Sequence, residues 1–298
     1  MTYAVVRWLG YLAAFGVIGA TVFRFWVVPR IAGAGPEPIQ ALAGRIVLAG
    51  RIASVVLALT LLGKLYLQSR SMIEPDEPLS PEIMRLVIAS GWGKGWLVQA
   101  IAALAAISGW RALTKPTRVR PAALLVALSA FGLILAFPLT GHAIGLPAAG
   151  RLGYPMTVLH AGGGAIWLGT LGVMLVIVLR QPEPAVPLGP LVRAFSTVAL
   201  PAGIVTILCG LVVAWRYVGG LDALLTTDYG NVLLVKIAAL TGIAAAGAYN
   251  WRIVLPRLEI GQPAPISRSA TLETAVGLVL LAATAVLVSL PAPAEALP

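Results

Sequence analysis

Apolar residues fall along this chain in long unbroken runs, not in the alternation of a half-buried strand or the stripe of a soluble helix. Eight runs are close to the roughly 20 residues that an α-helix needs to cross the hydrocarbon core of a bilayer. They cover residues 5–28, 46–67, 96–113, 121–139, 156–179, 195–217, 231–255 and 271–290. Short segments rich in Pro, Gly and charge separate them. The longest, 68–95, holds Glu74, Pro75, Asp76, Glu77, Pro78, Pro81 and Glu82, and its stretch 81–90 predicts a short interfacial helix. No connection has the length of a separate domain. The pattern predicts an all-α, polytopic membrane bundle of eight transmembrane helices, with 1–298 forming a single integral membrane domain. The first run ends on Arg24 and Trp26 ahead of Ile31-Ala32-Gly33-Ala34. That interruption suits an uncleaved span better than a signal peptide.

Composition narrows the class. Hydrophobic residues make up 59% of the chain and charged residues 11%, against about 45–50% and about 25% in soluble domains. There is too little polar surface to coat a soluble domain, which excludes a soluble enzyme, a disordered chain and a nucleic-acid binder. The net charge of +10 then reads as topology. The connection 111–120 carries Arg111, Lys115, Arg118 and Arg120 and no acid, which makes it cytoplasmic. Both termini and the connections 68–95, 140–155 and 218–230 then face outward. A single cysteine, Cys209, excludes an internal disulfide framework.

An internal repeat is visible. Trp92-Gly93, followed by Leu97-Val98-Gln99, matches Tyr229-Gly230, followed by Leu234-Val235-Lys236; Thr60 to Gly63 echoes Thr206 to Gly210. Helices 1–4 then correspond to helices 5–8 as a 4+4 parallel repeat, with chance similarity between Ala/Leu-rich spans as the competing account.

The chain has two histidines. His142 lies at the outer end of the fourth run and His160 about one turn into the fifth. Both sit near the outer interface on consecutive helices, and imidazole is the commonest metal ligand. Met156 lies four residues before His160, on the same face. Together His142, His160 and Met156 form a candidate copper site, since thioether and imidazole both suit that metal. His160, Trp167 and Met174 recur every seven residues. Met174 lies roughly 21 Å deeper at 1.5 Å per residue, either as a pathway residue or as ordinary core. Cys209 is a pathway candidate or a small apolar filler. Gly162, Gly163 and Gly164 beside His160 signal close approach of a cofactor or of another helix. Arg51 and Glu273, each about one turn inside the cytoplasmic boundary, are expected to pair. Lys236 lies near the histidine depth, where it disfavours a cation and suits an anionic group.

With these residues on view, the chain resembles the bacterial copper resistance D (CopD) family. The resemblance rests on His160 to Trp167-Leu168-Gly169, a His-x(6)-Trp-x-Gly motif, and on Phe195-Ser196 through Gly210. It extends to Leu221-Asp222 through Tyr229-Gly230, Leu233 to Lys236, Gly141-His142-Ala143 and Glu273. It implies eight spans in the bacterial inner membrane, with lipid around them. It also implies copper uptake or tolerance with a small periplasmic copper carrier as partner, a copper ion as the bound species, and no enzymatic activity. The alternative is a haem b redox protein, in which the same histidines are axial ligands and Lys236 or Arg151 holds a propionate. In either case no nucleic-acid partner is expected.

Overall fold

The computed structural model describes residues 2–141, 150–181, 184 and 186–295, and every regular element among them is helical. Helix α1 (Thr2–Val22) continues through a π turn, Phe23–Val27, and a 3-10 turn, Val28–Arg30. It is followed by α2 (Pro36–Arg70), α3 (Pro81–Ala89), α4 (Gly91–Ala112) and α5 (Val119–Ala136). The second half begins with α6 (Gly150–Met174), extended by a π turn, Leu175–Leu179. Then come α7 (Leu188–Val218), the short α8 (Leu221–Thr226) and α9 (Asp228–Tyr249). A third π turn, Asn250–Val254, joins α9 to α10 (Leu255–Glu259), and α11 (Ile266–Leu287) closes the bundle.

Each of the eight apolar runs coincides with one long helix. The helices outlast the runs because their polar ends continue past the hydrocarbon; α2 begins at Pro36, where a first-turn proline sacrifices no needed N–H. Among the described residues, seven helical stretches are long and apolar enough to cross a membrane, from Thr2–Arg30 to Ile266–Leu287. The eighth long helix, α4, is diluted by Lys94, Gln99 and Arg111. It still packs between α2 and α5 in the same layer, and the Trp110 ring lies where a Cβ on Gly50 of α2 would fall.

Helices α1 and α6, the first of each half, form the centre and are the most buried spans. They cross at Gly19 and Gly169, where a Cβ on either glycine would overlap the backbone of the other helix. Only small residues let backbones approach so closely. The internal repeat is physical as well as textual. In both halves a short helix ends on a hydroxyl residue that caps the next long helix. Ser90 Oγ accepts from the Gly93 N–H at 3.1 Å, and Thr227 Oγ1 accepts from the Gly230 N–H at 3.0 Å. Gly93 and Gly230 each pack against the carbonyls of that short helix, which leaves no room for a side chain.

The halves differ in one respect. Helix α2 packs closely on α4, whereas α7 and α9 barely touch, and α9 lies against α11 instead. The gap between α7 and α9 is where the cavities described next open.

Candidate functional site

We call the end of the bundle that carries α3 and α8 outer and the end that carries the 111–120 connection inner. His160 sits on α6 toward the outer end. Its Nδ1 lies 2.8 Å from the main-chain oxygen of Thr206 on α7. A carbonyl only accepts, so Nδ1 carries the proton and Nε2 keeps the free lone pair, the arrangement seen at metal-ligating histidines. Neighbouring residues make room for this ring. The Thr206 hydroxyl turns back to Ala202 O at 2.7 Å. A Cβ on Gly210 would stand 2.6 Å from Nδ1. Gly163 brings α6 against α7 at Ala202 and Thr206, and Gly162 brings α6 against Ile134 of α5. These two glycines serve helix packing and are not part of a slot for a cofactor.

His160 lines an outer cavity of about 180 Å³, with Tyr11 and Phe15 of α1, Phe137, Thr157, and Lys236 and Leu240 of α9 on its walls. That volume holds a cluster of waters or one partly hydrated ion. Lys236 is half-buried and is the second charged or ionisable side chain on the wall beside His160, apart from three tyrosines. Met156 is half-buried on α6 and does not line the cavity; Thr157, one position further, does. His142 lies outside the described residues.

Toward the inner end, a cavity of about 320 Å³ runs between α6, α7, α9 and α11. Met174, Asn250 and Glu273 line it, with Phe195, Gly247 and Arg252. Trp167 lines both cavities and is their common wall, its ring lying against Gly203 of α7. The His160, Trp167, Met174 stripe therefore follows the two cavities from the outer half to the inner half.

The expected pairing of Arg51 with Glu273 does not form. Arg51 is exposed on α2, whereas Glu273 is 3% exposed and accepts a hydrogen bond from Asn250 Nδ2. Glu273 lines the cavity among α6, α7, α9 and α11, whereas α2, which carries Arg51, packs chiefly on α1 and α4. Cys209 is half-buried on α7 and lines neither cavity. Among the described residues, no three His, Cys, Asp or Glu side chains form a metal-binding group.

The sequence reading passed over a polar network in the outer part of the first half. Lys64 Nζ donates to Gln99 Oε1 at 3.1 Å, and Gln99 Nε2 donates to Thr140 Oγ1 at 3.1 Å and Ala136 O at 3.2 Å. Arg7 donates to Ser289 Oγ at 2.7 Å and stacks 4.6 Å from the Tyr3 ring centroid. Gln99 stands six residues after Gly93, as Lys236 stands six after Gly230. One half fills this position with a closed hydrogen-bonded cluster, and the other opens it onto a cavity.

A polytopic helical bundle with a pinned histidine in an outer cavity is the class that fold and site define. Residues 1–152 match the family model described as copper resistance protein D-like, N-terminal domain, and residues 189–287 match that of copper resistance protein D. The chain belongs to the copper resistance protein D family. It is 33% identical over 171 residues to the copper transport protein CutJ of Bacillus subtilis (strain 168), a stretch covering 56% of this chain and 30% of that protein. The chain thus aligns with under a third of that relative's length. No solved structure matches.

Proposed function

We propose that this protein accepts copper at the outer, periplasmic face of the bacterial inner membrane and passes it inward, for import or tolerance. The observation that carries the reading is the hydrogen bond from His160 Nδ1 to the Thr206 carbonyl, which pins the ring and reserves Nε2 for a metal. His142, on the preceding connection, is the second proposed ligand; Met156, one turn from His160 and off the cavity wall, is the third and joins by a change of rotamer. Thioether and imidazole together favour the cuprous state. A small periplasmic copper carrier is the proposed donor, and no reaction is catalysed. The basic 111–120 connection supports a cytoplasmic side there, and with it periplasmic termini.

Lys236 shapes how copper is held. Its ammonium shares the cavity wall with His160 and repels a second positive charge. Binding at His160 is thereby kept weak enough for the ion to leave, as conduction between sites requires. The test is copper accumulation by cells carrying the wild type or His160→Ala, with metal analysis of both purified proteins. The expected result is loss of accumulation and of one bound copper. Equal copper in both, or a Soret band in the purified wild type, would reassign His160.

A further inference from the structure

The inner cavity holds a buried carboxylate with no ion-pair partner among the described residues. Glu273 is 3% exposed, its hydrogen-bond partner is the neutral Asn250 amide, and no basic group lies in ion-pair range among the described residues. Asn250 is 9% exposed, and its Oδ1, turned away from the carboxylate by the Nδ2 contact, has no partner. A buried acceptor left without a donor is uncommon in folded proteins and calls for a partner such as a water or an ion. Both residues line the same cavity as Met174. Asn250 opens one π turn and Met174 immediately precedes another, and π turns within α-helices recur at functional sites.

These donors specify a cation. One carboxylate neutralises one positive charge, so a monovalent ion leaves the loaded site neutral in a low-dielectric interior. A divalent ion would leave it positive, and Arg252, exposed at the cavity's edge, repels either ion but the divalent one twice as strongly. Among monovalent ions a thioether selects the soft one. We propose that the inner cavity binds one cuprous ion between Glu273, Asn250 Oδ1 and Met174, as an inner station on the far side of Trp167 from His160. For the identity of the cargo this rests on the reading of the preceding subsection.

The test is anaerobic titration of the purified full-length protein with Cu(I) against a chromophoric competitor. It compares wild type, His160→Ala, Glu273→Gln and Met174→Leu, each checked for a folded, monodisperse peak. Glu273→Gln and Met174→Leu are each expected to lose one equivalent that His160→Ala retains. If both inner variants bind as much as wild type, the inner station is overturned, whatever His160→Ala does. If Glu273→Gln loses one equivalent and Met174→Leu keeps it, Met174 is no ligand and the proposed three-donor site is overturned. If the inner variants lose one equivalent and His160→Ala loses none, the inner station stands and the outer reading fails. Met174→Leu preserves volume and keeps the test decisive if Glu273→Gln does not fold.

Discussion

At the scale of the residue, His160 is held by a backbone carbonyl and by the absence of a side chain opposite it. Gly210→Ala places a methyl 2.6 Å from Nδ1. The ring must rotate out of its hydrogen bond, even though alanine is the better helix former. Copper affinity is expected to fall at least about tenfold, a loss on the order of 1.4 kcal/mol, with the protein still folded; unchanged affinity in a competitor titration would refute the pinned-ring account. Lys236→Leu, which removes the charge without adding a ligand, works in the opposite direction. Removing one like charge from a partly buried wall is worth about 1 kcal/mol or more, so copper binding is expected to tighten on the order of tenfold. The sequence exposed the residues that are rare in apolar surroundings: His160, Lys236, Met174 and Glu273 all line the two cavities. It did not expose Thr206 or Gly210, because a main-chain carbonyl and a missing methyl leave no compositional mark. The Arg51–Glu273 expectation failed for a related reason. Sequence position along a span gives depth, but the side of the bundle is set by neighbours. Asn250, an amide within the apolar run 231–255, was a signal available in the sequence and overlooked.

At the scale of the element, the crossing of α1 and α6 is the contact on which the bundle depends. Gly169 closes the His-x(6)-Trp-x-Gly run that begins at His160, and its place in that run is structural. A Cβ there meets the Phe15 carbonyl, which is main chain and unable to move aside. Gly169→Ala is expected to destabilise by about 1–3 kcal/mol or more through overpacking, seen as a lower thermal midpoint in detergent. A midpoint equal to wild type would mean that the helices cross elsewhere. Most of the element structure was legible because crossing a bilayer demands a long apolar run, and eight runs gave eight long helices. The π turns at Phe23–Val27, Leu175–Leu179 and Asn250–Val254 were not, since one extra residue in a turn leaves the apolar pattern nearly unchanged. The connection between α4 and α5 carries the topology. Thr117→Cys is expected to react with a membrane-impermeant maleimide only in inverted or permeabilised preparations. Labelling in intact spheroplasts would reverse the orientation.

At the scale of the whole molecule, two copies of one four-helix pattern have been put to different uses. Both copies turn the same capped corner, at Ser90 and Thr227, and both place their first helix at the centre. In the first copy α2 and α4 close on each other, and Lys64 and Gln99 seal the polar positions between them. In the second, α9 leans away from α7 onto α11, and the cleft left behind holds the outer and inner cavities with Trp167 between. The repeat was readable from Trp92-Gly93 and Tyr229-Gly230, but the departure of α9 was not, because it depends on which neighbour a helix prefers. If this cleft is the route for copper, filling it should stop transport without harming the fold. Gly247 of α9 lines the inner cavity, and a Cβ built on it meets nothing within 4 Å. Gly247→Leu therefore grows into open space and replaces a poor helix former by a good one, a gain of up to about 1 kcal/mol. The variant is expected to melt at or above the wild-type temperature and to bind copper at His160 as before. Its copper uptake in cells should fall to the background of an empty vector. Normal uptake by a stable Gly247→Leu protein would show that copper does not pass between α7 and α9.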